Sequence, residues 1–204
     1  MITLPVLLAL MLLSDPPVAA GRNALSPGYP SAAVGDGPPG SGFHYDYAEA
    51  ALLLGDFDGV RGGGSFYITG PWIAVGRIDY LTEDEGNTDV DLVILSGGVG
   101  YVHTLEDELD IIGSAEIEIG DAEIDNPAGS HDDDDIGLRL RAGTRFQAAD
   151  RLELAGGLSF TTLFDEDVGL DVRALYAFNE NLAGFVGFEI RDDSFGMIGV
   201  RFGF

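Results

Sequence analysis

From residue 43 to the end of the chain, apolar and polar residues alternate with period two, in pieces separated by turn signals. Period two puts successive side chains on opposite faces of a strand. Ten strands are predicted: Tyr45 to Gly55, Val60 to Thr69, Trp72 to Leu81, Val90 to His103, Leu109 to Glu123, Ile136 to Gln147, Leu152 to Leu163, Val168 to Phe178, Leu182 to Arg191 and Ser194 to Phe204. No segment of helical period competes with them. The last strand shows the split: Ile198, Val200, Phe202 and Phe204 share one face, while Met197, Gly199, Arg201 and Gly203 share the other. In Ile136 to Phe146, Leu138, Leu140 and Phe146 oppose Arg139, Arg141, Gly143 and Arg145. One face is apolar, and the other carries glycine, small polar residues and ions.

The connections between these strands also alternate. Gly70-Pro71, Thr104 to Glu108, Ala148 to Asp150 and Asn179 to Asn181 are short. Asp56 to Asp58, Glu83 to Asp89, Asp125 to Asp135, Asp165 to Asp167 and Asp192-Asp193 are acidic. In an up-and-down meander every acidic connection then emerges at one end. An all-β, antiparallel up-and-down transmembrane barrel has this asymmetry, with short turns on one side and longer loops on the other.

The N-terminal part is different. Ile2 to Leu13 is an apolar run, followed by Pro16, Pro17 and the small residues Val18-Ala19-Ala20, so residues 1–20 read as a secretory signal peptide. Residues 21–42, with Pro27, Pro30, Pro38 and Pro39, read as a flexible Pro/Gly-rich linker. Residues 43–204 are the barrel. Beyond residue 42 only Pro71 and Pro127 occur, both at turn signals, as suits a chain that donates nearly every backbone N–H to a ladder.

Composition narrows the function. The chain has 204 residues, 35 acidic against 10 arginines and no lysine, and a formal charge of −25. Nucleic-acid partners are excluded because they require a basic footprint. The absence of cysteine excludes disulfides, thiol catalysis and thiolate-bound metals. Mean hydropathy is nevertheless +0.15, which acidic disordered chains do not reach. Charges and hydrophobes must therefore be segregated in space.

Periodicity alone does not say which face points outward, since a soluble barrel binding an apolar ligand shows the same alternation. Three features favour an outward apolar face. Aromatics end that face near the short turns, at Trp72, Tyr101, Phe146, Tyr176, Phe178, Phe202 and Phe204, as at a membrane interface. Charges on the polar face are balanced, whereas the connections are nearly all acid. A signal segment precedes the barrel. Hairpin register then predicts ion pairs inside, because residues opposite each other have a constant sum of positions. A sum of 257 sets Glu116 against Arg141 and Glu118 against Arg139; 298 sets Arg145 against Glu153; 140 sets Arg61 against Asp79. Ions in a narrow lumen must be paired or hydrated.

These features, with the terminal Gly199-Val200-Arg201-Phe202-Gly203-Phe204, resemble the small bacterial outer-membrane β-barrel family that includes the OmpA transmembrane domain, OmpX and porin-like proteins. The resemblance spans residues 43–204. It implies location in the bacterial outer membrane, contact with its lipid and lipopolysaccharide, and recognition of Phe204 by the barrel-assembly machinery. Relatives mostly have eight strands, a number that merging the two weakest N-terminal strands would restore; the reading here is ten. A monomer is expected.

Other chemistry is thin. Asp132, Asp133, Asp134 and Asp135 are the best carboxylate cluster for Ca²⁺ or Mg²⁺, but no EF-hand spacing surrounds them. Weakly bound divalent ions shared with lipopolysaccharide are the cofactor expectation, and no other is implied. Histidines occur only at 44, 103 and 131, and Ser130-His131-Asp132 are sequence neighbours that do not form a triad, so no enzyme is expected. The function implied is a structural or surface-interaction barrel with its lumen closed by Arg–Glu/Asp pairs. A small porin-like channel of low conductance is the alternative.

Overall fold

The computed structural model describes residues 38–85, 88–127 and 129–204. The predicted signal segment and most of the linker lie outside the described residues. Ten antiparallel strands form one closed barrel: β1 Tyr47–Gly55, β2 Asp58–Thr69, β3 Trp72–Glu85, β4 Thr88–Glu106, β5 Leu109–Asn126, β6 Gly129–Ala149, β7 Leu152–Thr161, β8 Asp167–Ala177, β9 Leu182–Ile190 and β10 Ser194–Gly203. Each strand pairs with its sequence neighbours and β1 closes on β10, leaving no open edge through the barrel wall. An even count lets the closing pair be antiparallel. The count is the ten read from the sequence, not the alternative of eight.

All ten predicted strands are present, but four run further than the alternation does. The acidic stretches 83–89 and 125–135, predicted as loops, are largely ladder: β4 pairs Asp89 with Asp125, and β6 pairs Asp132 with Glu123 and Asp135 with Gly120. Backbone pairing continues there although the sequence no longer alternates apolar with polar residues, so the hydrophobic signal stops before the strand does. Asp132, Asp133 and Asp134 are therefore exposed strand residues, and Asp135 is half-buried.

This extension also corrects two registers. The β5–β6 hairpin turns between Asn126 and Gly129, which pair with each other, so opposite positions sum to 255 and not 257. Glu116 then faces Arg139, Ser114 faces Arg141, and Glu118 faces Gly137. Between β6 and β7 a bulge at Gln147/Ala149 sets Glu153 opposite Gln147 and Arg145 opposite Ala155. Similar irregularities sit at Tyr67/Thr69 and Thr104/Glu106. Bulges at these short-turn ends add local twist.

The apolar face is outside. Ile136 is 72% exposed and Ile117 60%, with Leu138, Leu140, Leu158, Val168 and Ile198 also open, whereas Asp79 and Glu118 are 1% exposed. This is the reverse of a water-soluble barrel. At the short-turn end an aromatic belt surrounds the outer surface, with Trp72 edge-on to Tyr101 at 5.2 Å and Tyr176 edge-on to Phe178 at 5.8 Å.

Both mouths are occupied. At the short-turn mouth, residues 41–45 enter the barrel, and Phe43 and Tyr45 pack with Ile73 and Val102. At the acidic mouth, the β7–β8 connection folds inward. Thr162 donates its N–H to the Leu138 carbonyl at 3.1 Å, and its hydroxyl accepts the Leu138 N–H at 2.9 Å. Leu163 and Phe164 lie against Gly137 and Gly120, where an added Cβ would stand 2.6 Å from the Leu163 nitrogen or the Phe164 ring. Phe164 has φ 60°, a left-handed conformation for a non-glycine residue, and the Phe164 N–H donates to the Asp135 carboxylate. Below this cover, Leu53, Leu81, Phe195 and Met197 fill the lumen; Leu53 is fully buried.

Candidate functional site

Alternation sends every second side chain of a strand into the lumen, and around this barrel those positions are rich in arginine and carboxylate. Near the acidic mouth they form one network. Arg61 of β2 forks onto Asp79 of β3, with Nε to Oδ1 at 2.8 Å and Nη2 to Oδ2 at 2.9 Å, and reaches across to Glu189 of β9 through Nη1 at 2.8 Å. Arg77 joins Glu118 at 2.9 Å and Asp79 at 3.3 Å. Arg139 approaches Glu118 at 3.5 Å and Glu189 at 3.8 Å, and Arg191 contacts Glu189 at 2.6 Å. Thr161 donates its hydroxyl to Glu118.

A second network lies toward the short turns. Glu49 of β1 receives Arg173 at 2.7 Å and Arg201 at 2.8 Å. Arg145 forks onto Glu153, with both bonds at 2.8 Å, and donates Nη1 to the His44 carbonyl at 3.1 Å. Its guanidinium is stacked by Phe43 and Tyr45, whose ring centroids lie 4.7 and 4.8 Å away, while Arg201 sits 4.0 Å from the Tyr47 centroid. Between the networks Arg141 forks onto Asp171, with its shortest contact at 2.7 Å. Charge-assisted, bidentate pairs of this kind are the strong ones, and Arg145 and Arg201 also cover ring surface.

Two further lumenal carboxylates accept hydroxyls and, among the described residues, no arginine at hydrogen-bond distance. Glu116 takes Ser96 at 3.1 Å and Ser114 at 2.8 Å. Asp110 takes Ser41 at 2.6 Å and Tyr45 at 2.7 Å. Among the described residues, eight arginines and eight carboxylates are thus engaged inside, so the formal charge of −25 is carried by the rest of the chain. Between the networks is a cavity of about 120 Å³ lined by Glu49, Glu116, Arg141, Asp171 and glycines of β2, β3, β6 and β7.

Of the pairs expected from hairpin register, Arg61 and Asp79 face each other and bond directly. Arg145 meets Glu153 although the ladder sets them one inward position apart. Arg139 reaches Glu118 diagonally. Glu116 and Arg141 do not meet; Asp171 takes Arg141, because in the corrected register Ser114 faces that arginine. Glu189, Glu49 and Asp110 were not anticipated, although their period-two position signalled an inward direction.

The remaining candidates separate. Strand geometry sends Asp132 and Asp134 to one face of β6 and Asp133 and Asp135 to the other, and among the described residues no three His, Asp or Glu side chains converge on a metal site. The same alternation keeps His131 on the opposite face from Ser130 and Asp132. His103 and His131 are exposed, and His44 contributes its carbonyl.

No curated protein matches the chain significantly. Among solved structures it is similar to the KdgM porin, at 10% identity over 78% of this chain and 99% of that one with a TM-score of 0.45. It is also similar to Neisserial surface protein A, at 13% identity over 78% and 96% with a TM-score of 0.46. The attachment invasion locus protein Ail of Yersinia pestis is 16% identical over 76% and 95%, with a TM-score of 0.44. The outer membrane protein beta-barrel domain matches residues 6–179, most of the chain. With ten closed strands, an outward apolar face and this match, the chain belongs to the outer membrane protein beta-barrel domain family and is a protein of the bacterial outer membrane.

Proposed function

We propose that this protein is a closed outer-membrane barrel with a structural or surface-interaction role, its acidic strand ends directed out of the cell and its short turns toward the periplasm. The observation that carries the reading is the balanced lumen: eight arginines and eight carboxylates engage one another or nearby hydroxyls across the interior. Side chains fill barrels of about eight strands, and open aqueous channels belong to about sixteen or more. Ten strands leave room for the 120 Å³ cavity, which the two networks bracket. Phe204, which donates its N–H to Asp46 at 3.1 Å beside the closing strand pair, fits a terminal recognition signal for assembly.

The cavity is also the observation that favours the second reading, a channel of low conductance. Planar-bilayer recording of the refolded full chain separates the two. A closed barrel gives no steady openings, and an Arg61→Ala/Arg141→Ala variant, which cuts the network near the acidic mouth and the Arg141–Asp171 pair between the networks, gives small ones. Steady large openings of the unmodified protein would overturn the closed reading.

A further inference from the structure

The segment entering the short-turn mouth is held unlike the rest of the barrel. Residues 41–46 lie outside the strands, and from Ser41 to Tyr45 the hold comes chiefly from side chains. Ser41 and Tyr45 both donate hydroxyls to Asp110, and Phe43 and Tyr45 stack on Arg145. Arg145 and Ser65 also donate to the His44 and Tyr45 carbonyls, so the segment has no ladder of its own and can leave without breaking any strand pairing.

Its position matters because two cavities meet at it. One is the inner chamber of about 120 Å³, which Tyr45 lines. The other, about 150 Å³, is a vestibule at the short-turn mouth, which Phe43 lines. Tyr47, Arg145, Glu153 and Arg201 line both, and the Arg145 guanidinium of that shared wall is the one on which Phe43 and Tyr45 are stacked. At the opposite end the chamber is backed by the upper ion network, the apolar cluster around Leu53 and the Leu163–Phe164 cover, all built on strands or anchored to them. The closures differ in kind: one is part of the barrel and the other is a strap laid into it.

We propose that Ser41–Tyr45 is a displaceable plug whose withdrawal joins the vestibule to the inner chamber and makes the arginine-lined interior accessible from the short-turn side. The proposal rests on the closed-lumen reading. Withdrawal leaves Asp110 without both hydroxyl donors and exposes one face of Arg145, so the plugged state is favoured at rest, and a periplasmic partner that grips the preceding segment would pull it open.

The chain has no cysteine, so a single introduced thiol reports access. Ser114→Cys places one on the chamber wall. Its reaction with a small charged thiol reagent is timed in the refolded full chain, alone and combined with Tyr45→Phe, Asp110→Asn, Phe43→Ala/Tyr45→Ala or Phe164→Ala. The Ser114→Cys protein reacts slowly. Tyr45→Phe, which loses one hydrogen bond to a carboxylate, speeds the reaction about tenfold, and the double alanine variant speeds it further. Phe164→Ala, at the other mouth, leaves it unchanged. Heat-modifiable migration reports barrel formation; if the double variant fails to form one, Tyr45→Phe and Asp110→Asn decide. Equal rates with and without the plug changes, or acceleration by Phe164→Ala to the same degree, would overturn the plug while leaving the closed lumen standing. Fast labelling of Ser114→Cys alone would overturn both.

Discussion

At the scale of single residues, the interior depends on arginines that serve two acids at once. Arg61 is 4% exposed, holds Asp79 and Glu189 together and lies 5.3 Å from the Phe195 centroid. Removing it takes the bidentate partner from buried Asp79, which keeps only Arg77 at 3.3 Å, and one of three arginines from Glu189; breaking a buried pair by deleting one partner costs about 3–5 kcal/mol. Arg61→Ala is therefore expected to destabilise the barrel by about that amount in urea unfolding from lipid vesicles, with Arg61→Lys recovering only part because an ammonium does not fork. A loss below about 1 kcal/mol, the worth of a surface pair, would contradict the account. The Arg61–Asp79 contact was legible in the sequence because the sum of 140, which keeps both residues on the inward face, is the register the hairpin takes past its Tyr67/Thr69 bulge. The Glu189 contact was not, since it crosses the lumen between strands 128 positions apart and hairpin arithmetic reaches only neighbouring strands. Arg141 shows the same limit: it was matched to the adjacent strand β5, but its partner Asp171 comes from β8.

At the scale of elements, strand identity followed from alternation, while strand ends did not. β6 begins at Gly129, well before its apolar residues begin at Ile136, because pairing with β5 needs only backbone groups and the exposed acids carry no period-two hydrophobic signal. The two-residue error in the β5–β6 sum follows from centring the turn one residue too late within the acidic stretch. The shorter acidic connections stay short loops, and two of them sit close together where β1 meets β10. Asp56 accepts the Ser194 N–H at 2.7 Å, which draws the β1–β2 and β9–β10 connections side by side. In the latter, partial burial raises the Asp193 carboxyl above its usual range, with Asp56, Asp192 and Asp167 pushing the same way. The folded state thus binds this proton more tightly than the unfolded chain, so ionisation of Asp193 works against folding. Its unfavourable contribution appears as pH rises through the raised value and is relieved as pH falls below the ordinary carboxylate range. Asp193→Asn is expected to raise the thermal midpoint in detergent slightly at about pH 7, with the gain shrinking toward about pH 3. A gain that grows on acidification would contradict this assignment.

At the scale of the whole molecule, high acidity and positive mean hydropathy coexist because they occupy different places. The lumen is charge-balanced, the acids in excess collect in the connections and extended strand ends, and the hydrophobes form the outer belt. The direction of the two faces is the claim on which the rest depends, and the chain carries one probe of it. Trp72 is the only tryptophan, 46% exposed on the outer face in the aromatic belt beside Tyr101. Its fluorescence in vesicles, measured with lipids brominated at successive acyl positions and with aqueous iodide, tests the orientation without any substitution. The account predicts strong quenching by bromines near the headgroup, weaker quenching toward the bilayer centre, and little effect of iodide. Efficient iodide quenching with no response to brominated lipid would contradict it.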